Sequence, residues 1–259
     1  MNKLLLPFTV AAIALLSGCQ SLQIDRTHPA VSQDSRVQFL VIHYTAEEFP
    51  SSMKTLTEGK VSAHYLVNDN PPVIYQLVDE SRRAYQAGAS SWQGQTQLNA
   101  ASVGIEIVNK GYRDTPQGRV WFDFPQAQID KVIALVKDIV KRHDIRPDRI
   151  VGHSDIAPQR KQDPGPRFPW KQLADAGIIG WPDADAVKAK MANYEKELPD
   201  IEWFQRKLAH FGYAVPINGE LDEATRNVIS ALQMKYRPGR FDGMPDAETA
   251  ALLDVLDAK

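Results

Sequence analysis

The stretch VQFLVIHYTA, residues 37–46, constrains the fold more than any other part of the chain. Val37, Phe39 and Val41 alternate with Leu40 and Ile42, so an extended backbone here is apolar on both faces. A strand of that kind has to be covered on each side, which places it inside a sheet with other layers packed above and below. The expected strand ends at His43.

Further runs fit the same sheet. VSAHYLV (61–67) and VIYQLV (73–78) flank an Asn-Pro-Pro turn at 70–72 and read as a hairpin. SVGIEIVN (102–109) reads as another strand and RIVGH (149–153) as a short buried one. Between these two, Ile129, Val132, Ile133, Val136, Ile139 and Val140 recur at helical spacing on one face. Pro125 stands near the start of that helix, and Lys141, Arg142 and His143 close it, where cations complement the carbonyl end. Strands and helices are mixed without regular βα alternation. The expected class is α/β (α+β), a mixed central β-sheet flanked by helices over residues 37–182, with a small C-terminal three-helix domain.

That smaller domain is read from an internal echo. Asn218-Gly219 recurs as Asp242-Gly243, Asp222 as Asp246, and Thr225 as Thr249. Each unit is a tight turn followed by an aspartate suited to N-capping a helix. A charged, partly helical connector at 183–199 leads into residues 200–259, where His210 falls on an apolar face and reads as packing.

The length of 259 residues and a hydrophobic content of 43% allow one large domain and a small one. A net charge of −2, with acids and bases interspersed, gives no electrostatic footprint for nucleic acid, and a monomer is expected. The N-terminus carries more information. MNKLLLPFTVAAIALLSGC has an early lysine, an apolar run too short to span a bilayer comfortably, and then Leu-Ser-Gly-Cys. This segment resembles a bacterial lipoprotein signal, with residues 1–18 removed and Cys19 lipidated. Cys19 is the only cysteine, so an internal disulfide and cysteine metal ligands are both excluded. Acyl chains on Cys19 would anchor the chain to a membrane. In lipoproteins of this kind Gln20 favours the periplasmic face of the outer membrane of a Gram-negative bacterium. Residues 19–36 are polar and aperiodic and read as a tether, with His28 solvated in it.

His43 and His153 lie at two strand ends, and Asp163 follows in the loop VGHSDIAPQRKQDPGP (151–166). Two imidazoles and a carboxylate are a ligand set that leaves a zinc ion one open position. Taken singly, each histidine is equally a hydrogen-bonded scaffold residue. Pro164 biases Asp163 away from helical backbone. Glu106 interrupts an apolar strand, where a carboxylate is costly unless it is paired, neutral or working in a cleft. It reads as a general base or as half of a salt bridge. Lys161, two residues before Asp163, reads as an oxyanion partner or as a solvated lysine.

FLVIHYTA, VSAHYLV, SVGIEIVN and GHSDIAPQRKQDPGP, in this order, resemble the zinc-dependent N-acetylmuramoyl-L-alanine amidases of the amidase_2 type. The resemblance implies hydrolysis of the bond between N-acetylmuramic acid and L-alanine in peptidoglycan, with one Zn²⁺ per chain. It assigns His43, His153 and Asp163 as zinc ligands, Glu106 to activating water and Lys161 to polarising the carbonyl. Asn99 and His64 fall near family positions close to the substrate. Gln86 stands where relatives commonly carry a histidine, which bears on substrate contact. FGY, NGELDEAT, ALQ and DGMPDAET resemble the PG_binding_1 type of peptidoglycan-binding domain, whose helices could bind glycan or pack on the catalytic domain. A non-catalytic wall-binding lipoprotein is the alternative, although such members usually lack a zinc ligand. A glycosidase would need a second carboxylate opposite Glu106.

Overall fold

The computed structural model describes residues 22–257; the signal segment and Cys19 lie outside the described residues. Residues 22–34 form a unit of their own, exposed and without helix or strand. Among the described residues, no helix is long and apolar enough to cross a membrane.

The strands are β1 (Phe39–Tyr44), β2 (Tyr65–Val67), β3 (Ile74–Gln76), β4 (Ser91–Trp92), β5 (Gln95–Thr96), β6 (Ser102–Ile107), β7 (Tyr112–Thr115), β8 (Gly118–Trp121) and β9 (Ile150–Gly152). Five of them form the main sheet in the order β3-β2-β6-β1-β9. β1 runs parallel to both β6 and β9, β2 runs parallel to β6, and only β3 is antiparallel. The sheet is therefore mixed, and the expected hairpin is β2–β3. Two further hairpins, β4–β5 and β7–β8, stand apart from it.

The helices are α1 (Phe49–Glu58), α2 (Gln126–His143), α3 (His153–Ile156), α4 (Trp170–Asp175), α5 (Ala184–Tyr194), α6 (Ile201–Phe211), α7 (Glu223–Tyr236) and α8 (Ala247–Asp257). The expected apolar face of α2 is the buried one: Ile129, Val132, Val136 and Ile139 sit against Leu40, Ile42, Val103 and Ile105. His143 does more than close the helix, since its Nε2 lies 2.7 Å from Glu80 and its Nδ1 2.7 Å from Ser35 Oγ.

The opposite face of β1 is covered differently. Phe39, Val41 and Val151 belong to a second cluster that continues through Trp92, Leu98 and Ile156 to Phe204, Leu208, Tyr213, Val228, Ile229 and Leu232. The C-terminal helices thus complete the core that the two-faced strand demands, and residues 35–259 form one compact unit. The connector becomes α5, tied to α8 by Lys190 and Tyr194, which both donate to Asp254.

The echo in the C-terminal sequence is also an echo in space. Asp222 accepts from Thr225 N–H and Asp246 from Thr249 N–H, each capping its helix. A buried glutamine serves each turn. Gln205 accepts from the N–H groups of Asn218 and Gly219 and donates to Thr225 Oγ1. Gln233 accepts from Gly243 N–H and donates to Thr249 Oγ1.

Candidate active site

Parallel pairing brings the chemistry to one end of the sheet. His43 and Glu106 are register partners on β1 and β6, so their side chains leave the sheet on the same side. His153 follows directly on β9, the other neighbour of β1. In an open sheet with parallel strands, the carboxyl ends are where such a crevice forms.

His43, His153 and Asp163 are buried, with exposures of 1%, 3% and 6%. His43 Nδ1 lies 3.0 Å from His153 Nδ1 and 2.9 Å from Asp163 Oδ2, and His153 Nδ1 lies 3.1 Å from that same oxygen. The surrounding hydrogen bonds decide where the ring protons are. Ser102 Oγ donates to the Leu98 carbonyl at 2.6 Å, so it accepts from Gln86 Nε2 at 2.7 Å. Gln86 Oε1 consequently faces His43 Nε2, which donates to it at 2.5 Å. His153 Nε2 donates to the Ala87 carbonyl at 3.1 Å. Both imidazoles donate from Nε2, which leaves each Nδ1 facing the same carboxylate oxygen and free to serve as a ligand atom. Burial opposes protonation of His43, but Glu106 and Asp163 outweigh it and raise its pKa, so the space between the three groups attracts positive charge and fits a divalent cation. Two nitrogens and one oxygen are a donor set suited to zinc with a position left open. The Asp163–Pro164 peptide is cis.

Gly104 explains the proximity of Gln86. It sits inside β6, and a Cβ there would lie 2.5 Å from Gln86 Cγ. Glycine opens the space through which the glutamine reaches His43.

Glu106 is partly buried, and its Oε2 has no hydrogen-bond partner among the described residues. Burial and the charge of Asp163 push its acid up to about 7, against the pull of His43 and Lys161. The salt-bridge reading of Glu106 is not what the geometry gives. Asp163 is held well below its usual range: His153 and His43 outweigh the effect of its burial. Lys161 is exposed and lines the same cleft as Glu106, His153 and Asp163. The cleft has a volume of about 670 Å³ and is also lined by Tyr44, Tyr112, Arg119 and, from α7, Glu223 and Asn227.

Two expected substrate neighbours are placed elsewhere. Asn99 does not line the cleft; its Oδ1 accepts from the N–H groups of Gln86 and Ala87 at 3.1 and 2.7 Å. It holds the segment that receives both histidine protons. His64 is fully buried between β2 and β6, where its Nδ1 accepts from Gly104 N–H and its Nε2 faces the Arg82 carbonyl. It does not line the cleft. The sequence reading passed over Arg160, which donates to the carbonyls of Ala87 and Ala89 and braces the same segment. Its place directly before Lys161 in a loop of charged residues was the only signal.

The fold and site define a hydrolase of the cell-wall amidase type, and the comparisons agree. Residues 33–166 match the Amidase_2 family, N-acetylmuramoyl-L-alanine amidase, and residues 197–253 match PG_binding_1, a putative peptidoglycan binding domain. The chain belongs to the N-acetylmuramoyl-L-alanine amidase family. It is 43% identical to N-acetylmuramoyl-L-alanine amidase AmiD of Escherichia coli, over 95% of each chain. A solved complex of that enzyme with anhydro-N-acetylmuramic acid-L-Ala-D-γ-Glu-L-Lys superposes with a TM-score of 0.83, covering 91% of this chain and 94% of the other. AmpDh3 of Pseudomonas aeruginosa in complex with an anhydromuramic pentapeptide is 39% identical, with a TM-score of 0.85 and coverages of 92% and 98%.

Proposed function

We propose that this chain hydrolyses the amide bond between the lactyl group of N-acetylmuramic acid and L-alanine in peptidoglycan, releasing stem peptides, and that its cofactor is one Zn²⁺. The observation that carries the reading is the meeting of two histidine Nδ1 atoms and a carboxylate oxygen beside Glu106, whose Oε2 lacks a hydrogen bond, in a cleft.

His43, His153 and Asp163 would hold the ion. When bound, Zn²⁺ supplies Lewis acidity, which lowers the pKa of water and polarises a carbonyl. The Asn99-braced segment keeps both imidazoles in the tautomer that presents Nδ1. Glu106 takes the proton of the attacking water and returns it to the departing amine of L-alanine, a role that suits an acid whose pKa is raised to about 7. Lys161, which lines the same cleft, would offer its ammonium to the carbonyl oxygen that becomes negative.

The signal-like segment and its Leu-Ser-Gly-Cys ending support lipid attachment at Cys19 and a position on the periplasmic face of the outer membrane. The test of the central reading uses a muramyl-tripeptide. Its cleavage to a free L-alanine amine should stop on chelation and return with added zinc. Undiminished turnover in the chelated, metal-free chain would overturn it.

A further inference from the structure

Beyond covering the sheet, the C-terminal helices reach α3 with two polar groups, and these bear on the metal ligands. Asp155, two residues after His153, is 1% exposed. Its Oδ1 accepts from Tyr213 O–H at 2.7 Å, and its Oδ2 accepts from Lys235 Nζ at 3.0 Å. Tyr213 and Lys235 are themselves 3% and 6% exposed, and both belong to the segment that matches the peptidoglycan-binding family. Lys235 also donates to the Ile150 carbonyl at 3.2 Å and stands 4.3 Å over the Trp170 ring. Among the described residues, these contacts account for the ammonium's directions.

Asp155 turns these contacts toward the site. Its Oδ2 also accepts from Gly152 N–H at 2.8 Å, closing the turn between β9 and α3 that aims His153. Ser154, the residue after His153, donates its N–H to the Asp163 carbonyl at 2.8 Å. One short helix of four residues therefore carries one ligand and ties down the backbone of a second. Four residues cannot hold a helix by their own hydrogen bonds, so its orientation has to come from tertiary partners.

We infer that Tyr213 and Lys235 are positioning residues of the metal centre: through Asp155 they fix α3, and with it His153 and the Asp163 loop. The C-terminal segment is then an obligatory part of the zinc site and not only a wall-binding appendage. This inference rests on the metal reading given above. Hydrogen-bonded partners behind metal ligands typically account for about 10- to 100-fold in metal affinity.

The test measures metal affinity in the full chain. Tyr213→Phe keeps the ring against Trp92 and removes only the hydroxyl. The double variant Asp155→Asn with Lys235→Met removes both buried charges together, so neither is left unpaired. Each is titrated with Co²⁺, whose absorption reports ligand geometry, and with Zn²⁺ against a competing chelator. The expected result is zinc affinity weakened about 10-fold or more and an altered cobalt spectrum, with helical content unchanged by circular dichroism. Parent-like affinity and spectrum in both folded variants would overturn the inference alone. A parent chain that takes up neither ion would overturn the metal reading and this inference with it.

Discussion

Gln86 and Glu106 flank His43 and act on it in different ways. Gln86 fixes the ring: its amide is oriented by Ser102, and its Oε1 accepts the hydrogen bond from His43 Nε2–H. Gln86→Leu removes that acceptor with little change in volume. Zinc affinity should fall about 10- to 100-fold, measured by chelator competition. Gly104→Ala should act in the same direction, because a methyl would occupy the place of the glutamine side chain. Glu106 instead sets the pH response. Burial, with Asp163 nearby, raises its acid to about 7, so the metal-free fold binds a proton more tightly than the unfolded chain does. Stability of the metal-free protein should therefore fall as pH rises from about 4.5 to about 7, and Glu106→Gln should flatten that slope in denaturant titrations. A cation at the triad lowers this pKa, so the acidic limb of kcat/KM should lie between about 4.5 and 7 and fall tenfold per pH unit below it. A profile without such a limb would remove Glu106 from the role of base.

Whole strands were legible because burial on two faces leaves a plain mark. Leu40 and Ile42 serve one core and Phe39 and Val41 the other, as the alternation in VQFLVIHYTA requires. The α2 face and the paired aspartate caps were equally open to reading. The hairpin β7–β8 was not, since Tyr112–Thr115 and Gly118–Trp121 are mostly exposed and have no apolar alternation. It is secured by Arg119, which packs 3.7 Å over Tyr112 and donates to Gln162 in the metal loop, contacts that no local pattern encodes. Gln86 and Asn99 were noticed in the sequence but assigned to substrate. Their partners lie 43 and 13 residues away, and only the fold brings them together. At this scale the turn glutamines make a separate prediction. Gln205 is fully buried and serves four groups of the first turn and its helix, besides the Glu220 carbonyl. Gln205→Leu leaves the buried Thr225 Oγ1 without this partner and hands the turn N–H groups to solvent, and should cost about 1–3 kcal/mol in thermal or denaturant unfolding. An unchanged midpoint would mean that the turn is held by its aspartate cap alone.

Two family segments share one core. The sequence separates them at a charged connector, whereas the packing runs without interruption from Val41 through Trp92 to Phe204 and Leu232. Residues 35–259 should consequently unfold in a single cooperative transition, with near-UV and far-UV signals coincident. Removing residues 197–259 would expose Trp92, Ile156 and the buried charge of Asp155, and no folded amidase should remain. Two separate transitions would contradict this picture. At the level of the whole enzyme, the central claim is that a zinc-dependent water attack, assisted by Glu106, frees stem peptides from peptidoglycan. The most direct measurement is the mass of products from purified peptidoglycan digested by the parent chain, by Glu106→Ala and by a zinc-stripped sample. The account predicts free peptides beginning with L-alanine from the parent alone. Disaccharides with peptides still attached, or binding of the wall without cleavage, would contradict it.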